Sequence, residues 1–168
     1  MSTLRLRPLR PADEREALRA HDELRADGFT FLLGWEPALG WPAYLAQLQE
    51  RSRGSELPDR WVPSTFLVAE VDGALVGRAS IRHRLNKFLL TEGGHIGYAV
   101  RPAHRRRGYA TEILRQALLI ARAEGVEDAL ITCDEDNAAS VAVIERLGGR
   151  LEDVRDGEGA PKRRYWIR

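Results

Sequence analysis

"HIGYAVRPAHRRRGYATEIL", residues 95–114, holds a short apolar run, a proline-closed turn, three consecutive arginines and a glycine just ahead of a new apolar period. "HIGYAV" reads as a strand that Pro102 closes. Beyond the turn, apolar residues fall at 110, 113, 114, 117, 118 and 121. That is the stripe of an amphipathic helix. Gly125 marks its end. The stretch is therefore a strand–turn–helix unit with Gly108 at the helix start. A helix N-terminus presents unpaired N–H groups and roughly half a positive charge, together an anion site. Arg105, Arg106 and Arg107 deepen that potential and can grip phosphate bidentately. Gly108 removes the side chain that would hold a ligand off the backbone. The pattern suits a pyrophosphate. The Lys-Ser/Thr pair of a nucleotide-hydrolysing P-loop is missing, and no GxGxxG follows the strand, so neither class fits. A basic run by itself is more often solvated surface; its position between strand and helix favours binding.

Outward from this unit the elements alternate. "LRLRPL" (4–9) predicts a strand, Asp13–Arg25 an amphipathic helix, and Ala43–Arg51 a second helix. Between them "DGFTFLLGWEPALGWP" (27–42) loses all period and carries Phe29, Phe31, Trp35 and Trp41. "STFLVAEVDGALVGRASIRH" (64–83) predicts a hairpin turning at Asp72-Gly73. "LNKFLLTEGG" (85–94) reads as a loop, and "DALITC" (128–133) as a short buried strand. Asn137 opens a helix that ends at Gly148-Gly149, and two strands follow near Leu151–Arg155 and Lys162–Ile167. One α/β domain over 1–168 with a largely antiparallel central sheet is expected. Within it, 1–63 would form the substrate side and 64–168 the ligand-binding core.

Bulk composition narrows the function classes. A net charge of +1 argues against a chain built to coat nucleic acid. Cys133 stands alone, so no internal disulfide framework exists and a reducing cytoplasm is expected. No run approaches the roughly 20 apolar residues of a membrane span, and "MSTLRLRPLRPADE" lacks a signal peptide's apolar stretch. No metal site is expected.

Arg105 to Ala110, "RRRGYA", matches the Arg/Gln-x-x-Gly-x-Gly/Ala signature of the GNAT acetyltransferases, and the chain resembles that family. The likeness runs back through "GYAVRPAHR" and forward to "DNAASVAVIERLGG", similar to the family's Asn-x-x-Ser/Ala helix closing on Gly-Gly. It covers about Thr65 to Arg168 and is nearest to a bacterial branch. The resemblance implies a mixed, largely antiparallel sheet with splayed strands, flanked by about four helices. It also implies acetyl-CoA as cofactor. The pyrophosphate would sit on the backbone from Arg106 to Ala110, with Arg105 and Thr111 beside it. The pantetheine arm would pair with Tyr98 and Val100 along the strand, across Ala99, with Asn137 and Ser140 on its other side.

The implied reaction is direct attack of a primary amine on the acetyl thioester in a ternary complex. It needs a neutral amine, an N–H for the oxyanion and a proton for the leaving thiolate. His95 and Glu92 are the candidate bases, each weighed against a purely structural or surface role. Relatives often carry a tyrosine as the acid seven residues after the helix-opening Asn; here that position is Ile144. Ser140, Tyr98, Tyr165 or water could substitute. Cys133, in an apolar run, reads as a buried inert thiol. On the substrate side the candidates are Trp35, Trp41, His83 and Asp134, the first two against core packing and Asp134 against helix capping. Expected partners are a small-molecule or peptide amine and, as in many relatives, a second copy of the chain; nucleic acid and membrane are not expected. A non-catalytic acyl-CoA-binding domain is the alternative, favoured by Ile144. An RNA-binding role is opposed by the near-neutral charge.

Overall fold

Asp72 and Gly73 take φ values of +50° and +81°, the left-handed pair that a two-residue hairpin turn requires. The computed structural model describes residues 2–168. In chain order the elements are β1 (Arg5–Arg7), α1 (Glu14–Arg25), α2 (Trp41–Arg53), β2 (Ser64–Val71), β3 (Ala74–Arg82), α3 (Lys87–Thr91), β4 (Ile96–Val100), α4 (Tyr109–Ala123), β5 (Ala129–Asp134), α5 (Ala138–Arg146), β6 (Arg150–Arg155) and β7 (Lys162–Ile167). The strands form two antiparallel sheets, β1-β2-β3-β4 and β5-β7-β6.

Two differences from the sequence expectation have local causes. The first strand is only Arg5–Arg7, because Pro8 has no N–H to continue a ladder. The stretch read as a loop, 85–94, contains α3: Asn86 caps it by accepting the Leu89 N–H at 2.9 Å, and Leu89 is buried.

Two apolar clusters sandwich the larger sheet. On one face α4 buries Ile113, Leu114, Ala117, Leu118 and Ala121, joined by Ile144 of α5. On the other face α1 (Ala17, Ala20, Leu24) and α2 (Trp41, Tyr44) cover Phe66, Val68 and Leu75. Arg101, just past β4, clamps this second layer: it bonds Glu16 at 3.1 Å and Glu23 at 2.8 Å on α1, and the Leu75 carbonyl at 2.7 Å. No helix among the described residues is long and apolar enough to cross a membrane.

The two sheets meet at one point and then part. His95 donates its N–H to the Leu130 carbonyl at 2.7 Å, and its ring Nδ1 accepts the Leu130 N–H at 2.9 Å. Gly94, at φ +56°, lets the chain come this close: a Cβ there would run into the Leu130 carbonyl oxygen. Beyond this staple β4 and β5 share no ladder. The wedge between them is where a ligand can enter.

Candidate functional site

A cavity of about 1030 Å³ opens along the wedge. Tyr98, Ala99 and Val100 of β4 form one wall; Asn137 and Ser140, at the start of α5, form the opposite one. At its end lie Arg105, Arg106, Gly108, Tyr109, Ala110 and Thr111. Tyr98 and Ser140, 42 positions apart, thus face each other because α4 links the two diverging strands.

The loop before α4 is shaped for an anion. Arg106 and Gly108 both lie in the left-handed region, at φ +62° and +79°. Gly108 passes directly from the left-handed region into the right-handed helix at Tyr109, a step that turns successive N–H groups to one side as a concave nest. Among the described residues, none of the backbone N–H groups from Arg106 to Thr111 donates to a group of the chain, as expected for the first turn of a helix. A Cβ on Gly108 would meet nothing of the protein within 4 Å. The position faces open space at the mouth of the cavity, so the chain's own packing does not demand the glycine; its φ does. Arg105 is held by Asp27 at 2.7 Å and the Val100 carbonyl at 3.1 Å. Arg107 is exposed and does not line the cavity.

Across the wedge the Tyr98 hydroxyl meets Ser140 Oγ at 2.7 Å. Burial pushes the Tyr98 phenol up to about 12, with the Ser140 hydrogen bond opposing, so it stays protonated at neutral pH. Asn137 accepts the Ser140 N–H at 3.1 Å and so fixes the α5 start. Burial also raises the Cys133 thiol, consistent with a protonated, inert side chain. Ile144 is wholly buried in the core. Tyr165 is buried too and donates to Glu145 at 3.1 Å, outside the cavity.

The remaining sequence candidates stand elsewhere. His95 is 8% exposed, and its Nδ1 lone pair is occupied by the Leu130 N–H. Burial, then the Arg82 charge, lower its proton affinity. It does not line the cavity, and in the structure it staples the two sheets together. Glu92 turns away and accepts the Glu158 N–H. His83 bonds Thr65 Oγ1 at 2.8 Å and does not join His95. Trp35 and Trp41 pack edge-on to each other at 5.8 Å beside Tyr44, in the core under α1. Asp134 is paired with Lys162. None of these lines the cavity. Of the aperiodic aromatic loop, Phe29 alone does, accompanied by Asp27, and His104 joins from the turn after β4. Phe29 belongs to the aromatic stretch that the sequence places on the substrate side; Asp27 and His104 carry no sequence signal, because a lone side chain in an irregular loop has no period.

A sequence model of the acetyltransferase (GNAT) domain matches residues 3–150. Among solved structures, RimJ of Mycobacterium smegmatis in complex with CoA-disulfide superposes with a TM-score of 0.73 at 22% identity, over 98% of this chain and 81% of that one. YncA of Salmonella typhimurium, with its cofactor acetyl-CoA, gives 0.66 at 19% identity over 98% and 93%. The microcin C7 self-immunity acetyltransferase MccE, in complex with acetyl-CoA and AMP, gives 0.68 at 16% over 97% and 91%. No curated protein matches the chain by sequence.

Proposed function

The chain belongs to the GNAT acetyltransferase family, and from that premise we propose that it moves an acetyl group from acetyl-CoA to a primary amine, both substrates being bound together. The observation that carries the reading is the nest of unpartnered N–H groups from Arg106 to Thr111, set at the end of a long cavity between diverging strands. Such a nest fits a diphosphate, and the narrow wedge beside Tyr98 and Val100 fits an extended arm. Free backbone groups on the wedge side of β4 can pair with that arm as an added strand would. The acetyl thioester supplies the activated acyl group.

The chain's own residues then divide the work. Backbone N–H groups of Arg106, Gly108 and Ala110, backed by Arg105, hold the diphosphate. Asn137 and Ser140 close the far side. A backbone N–H on the wedge side of β4 would stabilise the negative charge that develops on the carbonyl oxygen. The Tyr98–Ser140 hydroxyl pair, which faces the cavity, would supply the proton for the leaving thiolate, the role that Ile144 cannot fill. His95 and Glu92, committed to the scaffold, take no part in deprotonating the amine.

Release of free thiol from acetyl-CoA, dependent on an added amine, tests this reading. Tight acetyl-CoA binding with no amine-dependent release across a broad panel would favour instead the non-catalytic acyl-CoA-binding domain, the reading that Ile144 supports.

A further inference from the structure

The buried arginines of the chain show a charge pattern that acetyl-CoA binding does not explain. Three buried arginines are each matched by two carboxylates: Arg7 by Asp13 and Glu70, Arg101 by Glu16 and Glu23, Arg164 by Glu152 and Asp153. Arg51 has no direct carboxylate, but its cavity is rimmed by Glu36, Glu50 and Glu56. Arg78 has none of this. It is 3% exposed, and its guanidinium lies 4.6 Å over the Phe29 ring. Two of its nitrogens donate only to backbone carbonyls, Gly97 at 3.2 Å and Thr30 at 2.7 Å. Its Nε is buried with no partner at all. Arg82, four residues along β3 and on the same face, donates to the Gly93 carbonyl at 2.9 Å. Among the described residues it pairs with no carboxylate either.

The two guanidiniums converge on one point. A Cβ built on Gly97 would stand 3.4 Å from Arg82 Nη1 and 3.5 Å from Arg78 Nη1. Burial, and for Arg78 the neighbouring Arg82 charge, pull their proton affinities down to about 9 and about 10. Both remain charged at neutral pH. Two like charges, one of them wholly buried and neither neutralised, are costly for a folded chain. The cost is offset when an anion arrives. Gly97 is half-buried and has no side chain, and Ala99, the next residue on that face, lines the cavity. The two are roughly 7 Å apart along the strand, the span of a short molecule bearing an amine and an acid.

We propose that Arg78 and Arg82 form, over Gly97, the seat for an anionic oxyacid group carried by the acceptor amine, so that the acceptor belongs to the amino acids or aminophosphonates and not to the simple alkylamines. The proposal rests on the acetyl-transfer reading for the identity of its ligand, but the seat itself can be tested apart from turnover. Protein saturated with CoA is titrated with acetate and, separately, methylphosphonate, at constant ionic strength set by chloride. The Arg78 Nε–H signal is followed by NMR and assigned through its loss in Arg78→Lys. A saturable downfield shift with one anion is expected, and the anion that gives it distinguishes a carboxylate from a phosphonate. In Arg82→Gln its apparent Kd rises about tenfold or more. No shift with either anion, or the same shift with chloride alone, overturns the seat. Acetyl-transfer rates to amino acids and their carboxamides then give a second readout. The acids should lead in kcat/KM by about tenfold, and amides that react as well or better overturn the seat. Calorimetry on the same samples with acetyl-CoA keeps the two readings apart: failure there removes the acetyl-transfer reading, whereas failure of the anion shift with acetyl-CoA still bound removes only the seat.

Discussion

Two groups of arginines frame β4, and they differ in nearly every respect. Arg105, Arg106 and Arg107 are consecutive, exposed and set around backbone donors. Arg78 and Arg82 lie on one face of β3, Arg78 wholly buried, and have no acidic partners among the described residues. Charge in the first group supplements a geometry that the backbone already provides. Charge in the second group is the geometry. The loop should therefore tolerate loss of an arginine but not a change in its backbone, and the buried pair should behave the other way round.

The largest effect expected is at the backbone. Gly108→Glu places an anion beside the diphosphate and a side chain at φ +79°. Acetyl-CoA affinity should drop by about 100-fold or more, since one lost charge-assisted contact and one added repulsion each cost 1.5–3 kcal/mol or so. Circular dichroism should find the fold retained. Unchanged affinity would break the claim that the backbone dominates.

Next in size is the proton donor. Tyr98→Phe should lower kcat by about 10²-fold, while acetyl-CoA affinity measured by calorimetry stays within a few-fold. Equal losses in both would make Tyr98 a binding residue and leave the thiolate unassisted.

The buried pair sharpens the comparison through stability. Arg101→Met strands Glu16 and Glu23, and since these are about one-third exposed the loss should be about 2–3 kcal/mol, below the range for fully buried pairs. Arg78→Met strands no carboxylate, and its cost should be about 1 kcal/mol or less. Urea denaturation of the two variants checks the ordering. A larger loss for Arg78→Met would mean that its charge serves the scaffold.

The loop arginines come after that. Arg106→Ala should weaken acetyl-CoA binding several-fold, and Arg107→Ala less, since Arg107 does not line the cavity. Both deficits should shrink as salt rises. The smallest effect concerns His95. Its proton affinity is lowered in the fold, so the unfolded chain binds more protons below pH about 6.5. The stability it contributes is full above that value and declines as pH falls toward the folded value. Thermal unfolding between pH 7 and 5 should therefore fall more steeply for the native chain than for His95→Gln. The pH profile of kcat should be the same in both, which a catalytic base would not allow.

Local chemistry explains what could be read from the sequence. The Asp72-Gly73 turn, the α4 stripe, Gly108 and the Asn137 cap each depend on residues within a few positions of one another. What escaped depends on distant partners. His95 acquires its role from Leu130, 35 residues away. Trp35 and Trp41 fall in an aperiodic stretch of the sequence, where a core role and a substrate-side role look alike until Tyr44 packs against them. Arg78, Ser80 and Arg82 alternate plainly in the sequence, but polar alternation in a hairpin strand reads as a solvent face. Only the docking of α1 and α2, with Phe29 and Phe66 around the guanidinium, buries Arg78.

The most direct test of the central claim, that the wedge and its nest hold acetyl-CoA, is calorimetric titration of the chain with acetyl-CoA at moderate salt, with a simple polyanion as competitor. Saturable binding of one acetyl-CoA per chain that the polyanion does not displace is the predicted result. No binding, or displacement by the polyanion at equal charge concentration, would contradict it, leaving "RRRGYA" as charged surface.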